Sequence, residues 1–192
     1  VVEITENGIT GRGECVPYAR YGESIRSVLG QGTSIRDYIN DGLTREGLLT
    51  VMPSGAARNA VDCALWDLEA KTSGKTIAEL AKIPAPGPTI TAYTLSLDTP
   101  EKMGEAAKAQ SHRPLIKLKL AGTGDVERVA AVRKAAPKTR LIVDANEAWT
   151  ADMMREYCPK MADLGVELIE QPLPAGEDSV LGDMDRPVPI CA

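Results

Sequence analysis

Residues 115–120 read Leu115-Ile116-Lys117-Leu118-Lys119-Leu120, an apolar run interrupted by two lysines at alternate positions. A strand sends successive side chains to opposite faces, so both ammonium groups project from the same side. Further on, Leu141-Ile142-Val143 closes in Asp144 and Leu168-Ile169 closes in Glu170, so Lys119, Asp144 and Glu170 are spaced by 25 and 26 residues. That interval holds one strand, one helix and the turns between them, which predicts consecutive parallel strands with right-handed crossovers. Outward from this core, strands are expected at 89–97, 115–120, 141–143 and 167–169, with a fifth from Val188. Helical segments are expected between them, near 99–110, 125–136, 150–162 and 177–184.

Upstream the pattern is different. Pro84-Ala85-Pro86-Gly87-Pro88 suits neither a helix nor a central strand and marks a boundary between residues 1–88 and 89–192. The first region opens with strands at 1–6 and 9–16 around Asn7-Gly8, a strong two-residue hairpin signal. After a loop at 17–22, helices run to about Thr72. The best of them starts near Ser54 and sets Ala57, Ala60, Val61, Ala64, Leu65 and Leu68 on one face, with Gly74 as its stop. The expected fold class is therefore α/β, a small α+β region followed by the first half of a (β/α) barrel. A closed barrel takes roughly 250 residues, whereas 89–192 supply about four βα units. Pro189-Ile190-Cys191-Ala192 reads as the middle of a strand, and the opening lacks an initiator Met, so a truncated chain is expected.

Composition bounds the function. The 192 residues are 43% hydrophobic and 26% charged, the proportions of an ordinary globular protein. A formal charge of −5 and a single His argue against a nucleic-acid module, and no apolar stretch approaches the roughly 20 residues of a membrane span. Cys15, Cys63, Cys158 and Cys191 lie far apart without zinc-ligand spacing, which predicts reduced thiols in a cytoplasmic protein.

The charged positions suggest chemistry. Two lysines on the interior face of a barrel strand are costly unless anions stand opposite, and the same Lys-x-Lys would also suit an edge strand with a solvated face. Carboxylates at the C-terminal ends of barrel strands are where catalytic groups collect, although Asp144 could instead cap a helix and Glu170 could lie on the surface. Taken together, the lysine pair and two carboxylates in phase suit Mg²⁺, a hard cation that keeps room for substrate oxygens. The matching reaction is proton abstraction beside a carboxylate, with the metal offsetting charge on the enediolate and a lysine taking the proton. A neutral lysine needs a pKa nearer ~7–8 than ~10.4, and Lys117 beside Lys119, with the metal nearby, supplies repulsion of that sign.

With these residues in view, the chain resembles the enolase superfamily, in its muconate-lactonizing subgroup. The resemblance is carried by the segment from Ala56 to Leu68, by Lys117-Leu118-Lys119, by Val143-Asp144-Ala145-Asn146 and by Ile169-Glu170-Gln171-Pro172, in the family's order. It implies a capping domain at 1–88 whose first strand is missing, and a partial barrel at 89–192. Within the family the chain most resembles bacterial dipeptide epimerases acting on L-Ala-D/L-Glu, through Glu14 to Ser24 and Gly165 to Pro174. The resemblance implies Lys119 as acid/base, Lys117 as its electrostatic modulator, Asp144 and Glu170 as two of three Mg²⁺ ligands and Asn146 as their support. It further implies Thr94, facing the interior with Ala92 and Ser96, as a contact to the substrate carboxylate. Arg20 on the capping loop suits an anionic substrate side chain, or is an exposed loop charge. The third metal ligand and the opposite-face lysine would follow Ala192.

The expected function is Mg-dependent epimerisation of L-Ala-D/L-Glu in cytoplasmic recycling of cell-wall peptides. The expected partner is a small dipeptide, with no nucleic acid or membrane, in a possible homo-oligomer. The alternatives are another muconate-subgroup activity, such as a cycloisomerase or an o-succinylbenzoate synthase-like enzyme, and an inactive half-barrel that pairs with a second chain. Gly122-Thr123-Gly124 reads as a βα turn, His112 as a loop residue, and Trp66 and Trp149 as core.

Overall fold

The computed structural model describes residues 1–192 and divides into two compact units, Val1–Gly87 and Pro88–Ala192. In the first, β1 (Val2–Glu6) and β2 (Ile9–Gly13) form an antiparallel hairpin, paired from Val2↔Gly13 to Glu6↔Ile9. Asn7 and Gly8 both take positive φ, 50° and 80°, which is the two-residue turn whose twist matches the strands. Helices α1 (Ile25–Ser34), α2 (Arg36–Asn40), α3 (Arg45–Val51), α4 (Ala56–Ser73) and α5 (Ile77–Ala81) follow. α4 buries Ala57, Ala60, Val61, Ala64 and Leu68, and Gly74 ends it in the left-handed conformation at φ 68°.

The hairpin lies very close to α4, and its sequence explains how. A Cβ on Gly13 would fall onto the Ala60 carbonyl oxygen, and one on Gly11 onto that of Ala64. Glycine on the strand and alanine on the helix are thus what the contact requires. Ile35, Leu48, Met52, Ala57 and Val61 form the core of this unit. Trp66, expected in the core, is only partly buried: the Arg45 guanidinium covers its ring at 3.4 Å, and Arg45 Nε pairs with Glu69 at 2.7 Å.

In the second unit, five parallel strands stand in chain order: β3 (Tyr93–Leu95), β4 (Leu115–Lys119), β5 (Arg140–Asp144), β6 (Val166–Glu170) and β7 (Ile190–Cys191). Helices α6 (Pro100–Ala109), α7 (Asp125–Ala135) and α8 (Ala151–Asp163) connect them, and a 3-10 turn at Asp178–Asp183 replaces a helix before β7. Ile116, Leu118, Leu141, Val143 and Ile169 are fully buried in one cluster with Met103, Val129, Val132, Met154 and Met161 from the helices. The strand expected over 89–97 shrinks to three paired residues. β3 is an edge strand with β4 as its sole partner, and Pro84, Pro86 and Pro88 deprive the approach of N–H donors.

At the N-terminal ends of β5 and β6, Arg133 fastens the sheet to its helices. Its Nε donates to the Leu164 carbonyl at 2.8 Å, Nη1 to that of Thr139 at 2.7 Å, and Nη2 to that of Gly165 at 3.1 Å. Carbonyls left over where α7 and α8 end are thereby satisfied.

Candidate active site

β4, β5 and β6 end in register, with Lys119 opposite Asp144 and Asp144 opposite Glu170. Lys117 lies one alternation behind Lys119 and pairs across to Thr94 on β3. Residues in one register row share a face, so the lysines, both carboxylates and Thr94 all project away from the helix-packed side. Cys191 on β7 extends the row beyond Glu170.

Lys119 Nζ donates to Asp144 Oδ2 at 2.5 Å and to Asn146 Oδ1 at 3.1 Å. Lys117 Nζ lies 3.0 Å from the same Asp144 oxygen and also donates to Glu170 Oε2. One ammonium thus bridges both carboxylates. The Asp144 side chain is 2% exposed, against 38% for Lys119. Asp144 Oδ1 also accepts the Asn146 N–H at 3.0 Å. Burial alone would raise the Asp144 carboxyl, but Lys119, Lys117 and that N–H outweigh it and hold the group below the ordinary carboxylate range.

Lys117 carries the charge that the doublet asks of a neighbour to the base. Burial lowers its ammonium, yet the bonds to Glu170 and Asp144 prevail and its pKa stands above the ordinary lysine value. The two carboxylates outweigh its partial burial, so this lysine is held charged.

Strained turns hold the carboxylates. Asn146, Glu147 and Gln171 take φ of 50°, 62° and 46°, immediately after the strand ends that carry Asp144 and Glu170. Such conformations cost a non-glycine residue roughly 1–2 kcal/mol each. Backbone bonds offset that cost: Glu147 N–H donates to the Gln171 carbonyl at 2.8 Å, and Gln171 N–H to that of Cys191 at 2.7 Å. Asn146 Nδ2 also donates to the carbonyl of Leu120 at 3.3 Å, across to the end of β4.

Two carboxylate groups on adjacent strand ends, already shared by one cation, fit the donor chemistry of Mg²⁺, which commonly takes one or two carboxylates alongside water and substrate. The chain gathers no group of three or more acidic, His or Cys side chains that would enclose a metal. Asp144 and Glu170 are the residues that would hold the ion, with Asn146 beside them.

Arg20 lies in the first unit, on the 3-10 turn Ala19–Tyr21. Thr94 is exposed, on the face shared with Lys117. Ala92 falls outside β3, so the expected interior trio with Ser96 does not form as one strand.

Two polar anchors escaped the sequence reading. Glu23 accepts the Ala56 N–H at 2.6 Å, at the start of α4, and the Tyr18 N–H at 3.1 Å; these bonds lower its carboxyl pKa. Asp125 accepts the Gly122 N–H at 2.7 Å and the Trp149 indole N–H at 2.8 Å. Trp149 is buried as expected, but with a charged partner. The start of α7 after Gly122-Thr123-Gly124 is therefore occupied by the protein's own carboxylate. Asp125 follows Gly124 at a helix start, a placement that signals a cap; its reach to Trp149 has no local signature.

No helix is long and apolar enough to cross a membrane. Residues 1–81 match the mandelate racemase/muconate lactonizing enzyme N-terminal domain, and residues 101–192 the enolase C-terminal domain-like family. The chain is 48% identical to the L-Ala-D/L-Glu epimerase of Escherichia coli over 194 residues, covering all of this chain and 60% of that protein. It is 44% identical to an N-acetyl-D-glutamate racemase of Pseudoalteromonas, covering all of this chain and 61% of the other. A solved enolase family member from Agrobacterium tumefaciens with homology to dipeptide epimerases, holding sodium and L-Ala-L-Glu, superposes with a TM-score of 0.95 at 50% identity. That match covers 99% of this chain and 58% of the other. The chain thus spans about 60% of the length of the curated relatives it matches.

Proposed function

The chain belongs to the mandelate racemase/muconate lactonizing enzyme group of the enolase superfamily, and we propose that it epimerises dipeptides of the L-Ala-D/L-Glu kind by moving the α-proton of the glutamate, with Mg²⁺ at Asp144 and Glu170. The observation that carries this reading is the register row Lys119–Asp144–Glu170, with Lys117 one step behind it. Two relatives support the substrate class, because alanylglutamate and N-acetylglutamate are both glutamates acylated on nitrogen.

The two lysines divide the work. Lys117 bridges two carboxylates and is held protonated, so it serves as a fixed positive charge. Lys119 is twice as exposed, 38% against 19%, and is the one open to a substrate above the strand ends. As the free amine, Lys119 takes the α-proton; the C–H electron pair passes into the substrate carboxylate, and a second acid on the opposite face gives up a proton to that carbon to form the epimer. Asn146, bonded to Lys119 at 3.1 Å, keeps the amine aimed. The chemistry a magnesium ion supplies at Asp144 and Glu170 is positive charge set against that developing on the carboxylate. On this reading Thr94, on the same face as Lys117, donates to the substrate carboxylate, and Arg20 pairs with the glutamate side chain as guanidinium with carboxylate. The setting proposed for this reaction is the cytoplasm, on peptides released from cell wall.

The test is loss of the α-proton signal in D₂O with Mg²⁺, on L-Ala-L-Glu, L-Ala-D-Glu and N-acetylglutamate. Exchange of the dipeptides, reduced about 10³-fold by Lys119→Ala, is the expected outcome. Faster exchange of N-acetylglutamate would replace the dipeptide by simpler acylglutamates. Exchange confined to acids without an acylated nitrogen would remove the epimerase assignment. Unchanged exchange in both epimers by the Lys119→Ala variant would remove Lys119 as the base.

A further inference from the structure

Behind the row, one buried ion pair ties together the loops that carry it. Asp125, the first residue of α7, has no exposed surface. Its Oδ2 accepts from Gly122 N–H and Trp149 Nε1–H, and its Oδ1 from Ala121 N–H at 3.1 Å and Arg128 Nη1 at 2.8 Å. Arg128 donates onward, through Nε to the Asp98 carbonyl at 3.0 Å and through Nη1 to that of Thr123 at 2.8 Å. Trp149 N–H donates to the Pro172 carbonyl at 3.0 Å. These contacts come from the loops after β3, β4, β5 and β6, at the strand ends where Lys119, Asp144 and Glu170 lie.

We propose that Asp125 is a positioning residue for the row, setting the separation between Lys119 and the Asp144–Asn146 turn. The path is short. Ala121 and Gly122 follow Lys119 by two and three residues, Trp149 follows Asn146 by three, and Asn146 bonds both Lys119 and the Leu120 carbonyl. A carboxylate with four donors on two oxygens fixes the β4 loop to the β5 loop in a low-dielectric setting, where each bond reinforces the others. An asparagine of the same shape turns its amide N–H₂ against donors, so the tie breaks without loss of volume. The catalytic consequence rests on the site reading above; the tie itself does not.

Two variants test it, by hydrogen–deuterium exchange and by calorimetric Mg²⁺ titration, with far-UV circular dichroism to verify folding. Asp125→Asn is expected to speed amide exchange in both 121–124 and 145–149 and to weaken Mg²⁺ binding about tenfold, the usual reach of partners that orient metal ligands. Trp149→Phe, which removes the indole N–H with part of the buried ring and leaves Asp125 its other donors, is expected to loosen 145–149 alone and to weaken Mg²⁺ by less. It keeps the test alive if Asp125→Asn does not fold. Unchanged protection of 145–149 in either folded variant overturns the proposal, as does loosened protection with unchanged Mg²⁺ affinity. A parent protein that binds no Mg²⁺, with Asp125→Asn still loosening both loops, removes the metal-site reading and supports the tie.

Discussion

The strands of the second unit meet charge at both ends and treat it differently. At their C-terminal ends, two lysines and two carboxylates crowd into one row, each cation within bonding distance of an anion. At the N-terminal ends, the Arg133 guanidinium rests on neutral backbone carbonyls, and burial lowers its pKa with only a weak opposing pull from Glu167. A cation on carbonyls is a fastener, because its removal takes the donor from several acceptors at once. Ions paired with ions can exchange partners, which is what a site for a metal and an anionic substrate requires. On the proposed function, one end of the sheet serves stability and the other chemistry.

Breaking the upper end should show the largest effect. Asp144→Asn leaves the side-chain shape but withdraws the charge that both lysines share, so loss of Mg²⁺ binding in calorimetry and of α-proton exchange, about 10³-fold, is expected with the fold retained. A cooperative unfolding transition lost along with exchange would mean that the row is also a fastener.

The lower end should respond in the opposite sense. Arg133→Met keeps the aliphatic stem yet leaves the carbonyls of Leu164, Thr139 and Gly165 without their donor. A loss of about 2–3 kcal/mol in denaturant unfolding is expected, at unchanged Mg²⁺ affinity. A fall in affinity as large as that from Asp125→Asn would erase the distinction between the ends.

Acid sharpens the contrast with the smallest effects. Asp144 and Glu167 both have folded-state pKa values below their ordinary ones, Asp144 through Lys119 and Lys117 against its burial, Glu167 through Arg140. A depressed carboxyl contributes stability above its unfolded pKa, and loses it as pH falls through the folded value. Stability should therefore decline below about pH 4 from both ends. The exposed Arg140–Glu167 pair, 2.7 Å apart with half-open side chains, contributes little and fades in salt. Glu167→Gln should barely move the acid limb at 0.5 M NaCl, while Asp144→Asn should flatten it at any salt. Equal salt sensitivity of the two variants would contradict the burial of Asp144.

Much of the fold is legible from period alone. Strands at 115–119 and 140–144, the helices between them and the Asn7-Gly8 turn follow from alternation, apolar spacing and turn chemistry, each set by neighbours within a few residues. The strand at 89–97 was overdrawn because an apolar, β-branched stretch does not reveal whether a partner stands on each side. Within the site, the phase of Lys119, Asp144 and Glu170 can be counted, and the structure sets them in one row. Glu23, Asp125 and Arg133 cannot be found this way, since each bonds groups brought near only by folding.

The sequence by itself determined the strand–helix alternation, the family and the face from which the two lysines project, because periodicity and motif order are local and survive without coordinates. Tertiary structure decided which charge rests on which: Lys117 between Asp144 and Glu170, Arg133 on carbonyls and Asp125 beneath Trp149. Whether a buried charge is a site or a fastener depends on the partner that desolvation forces it to find, and folding alone selects that partner.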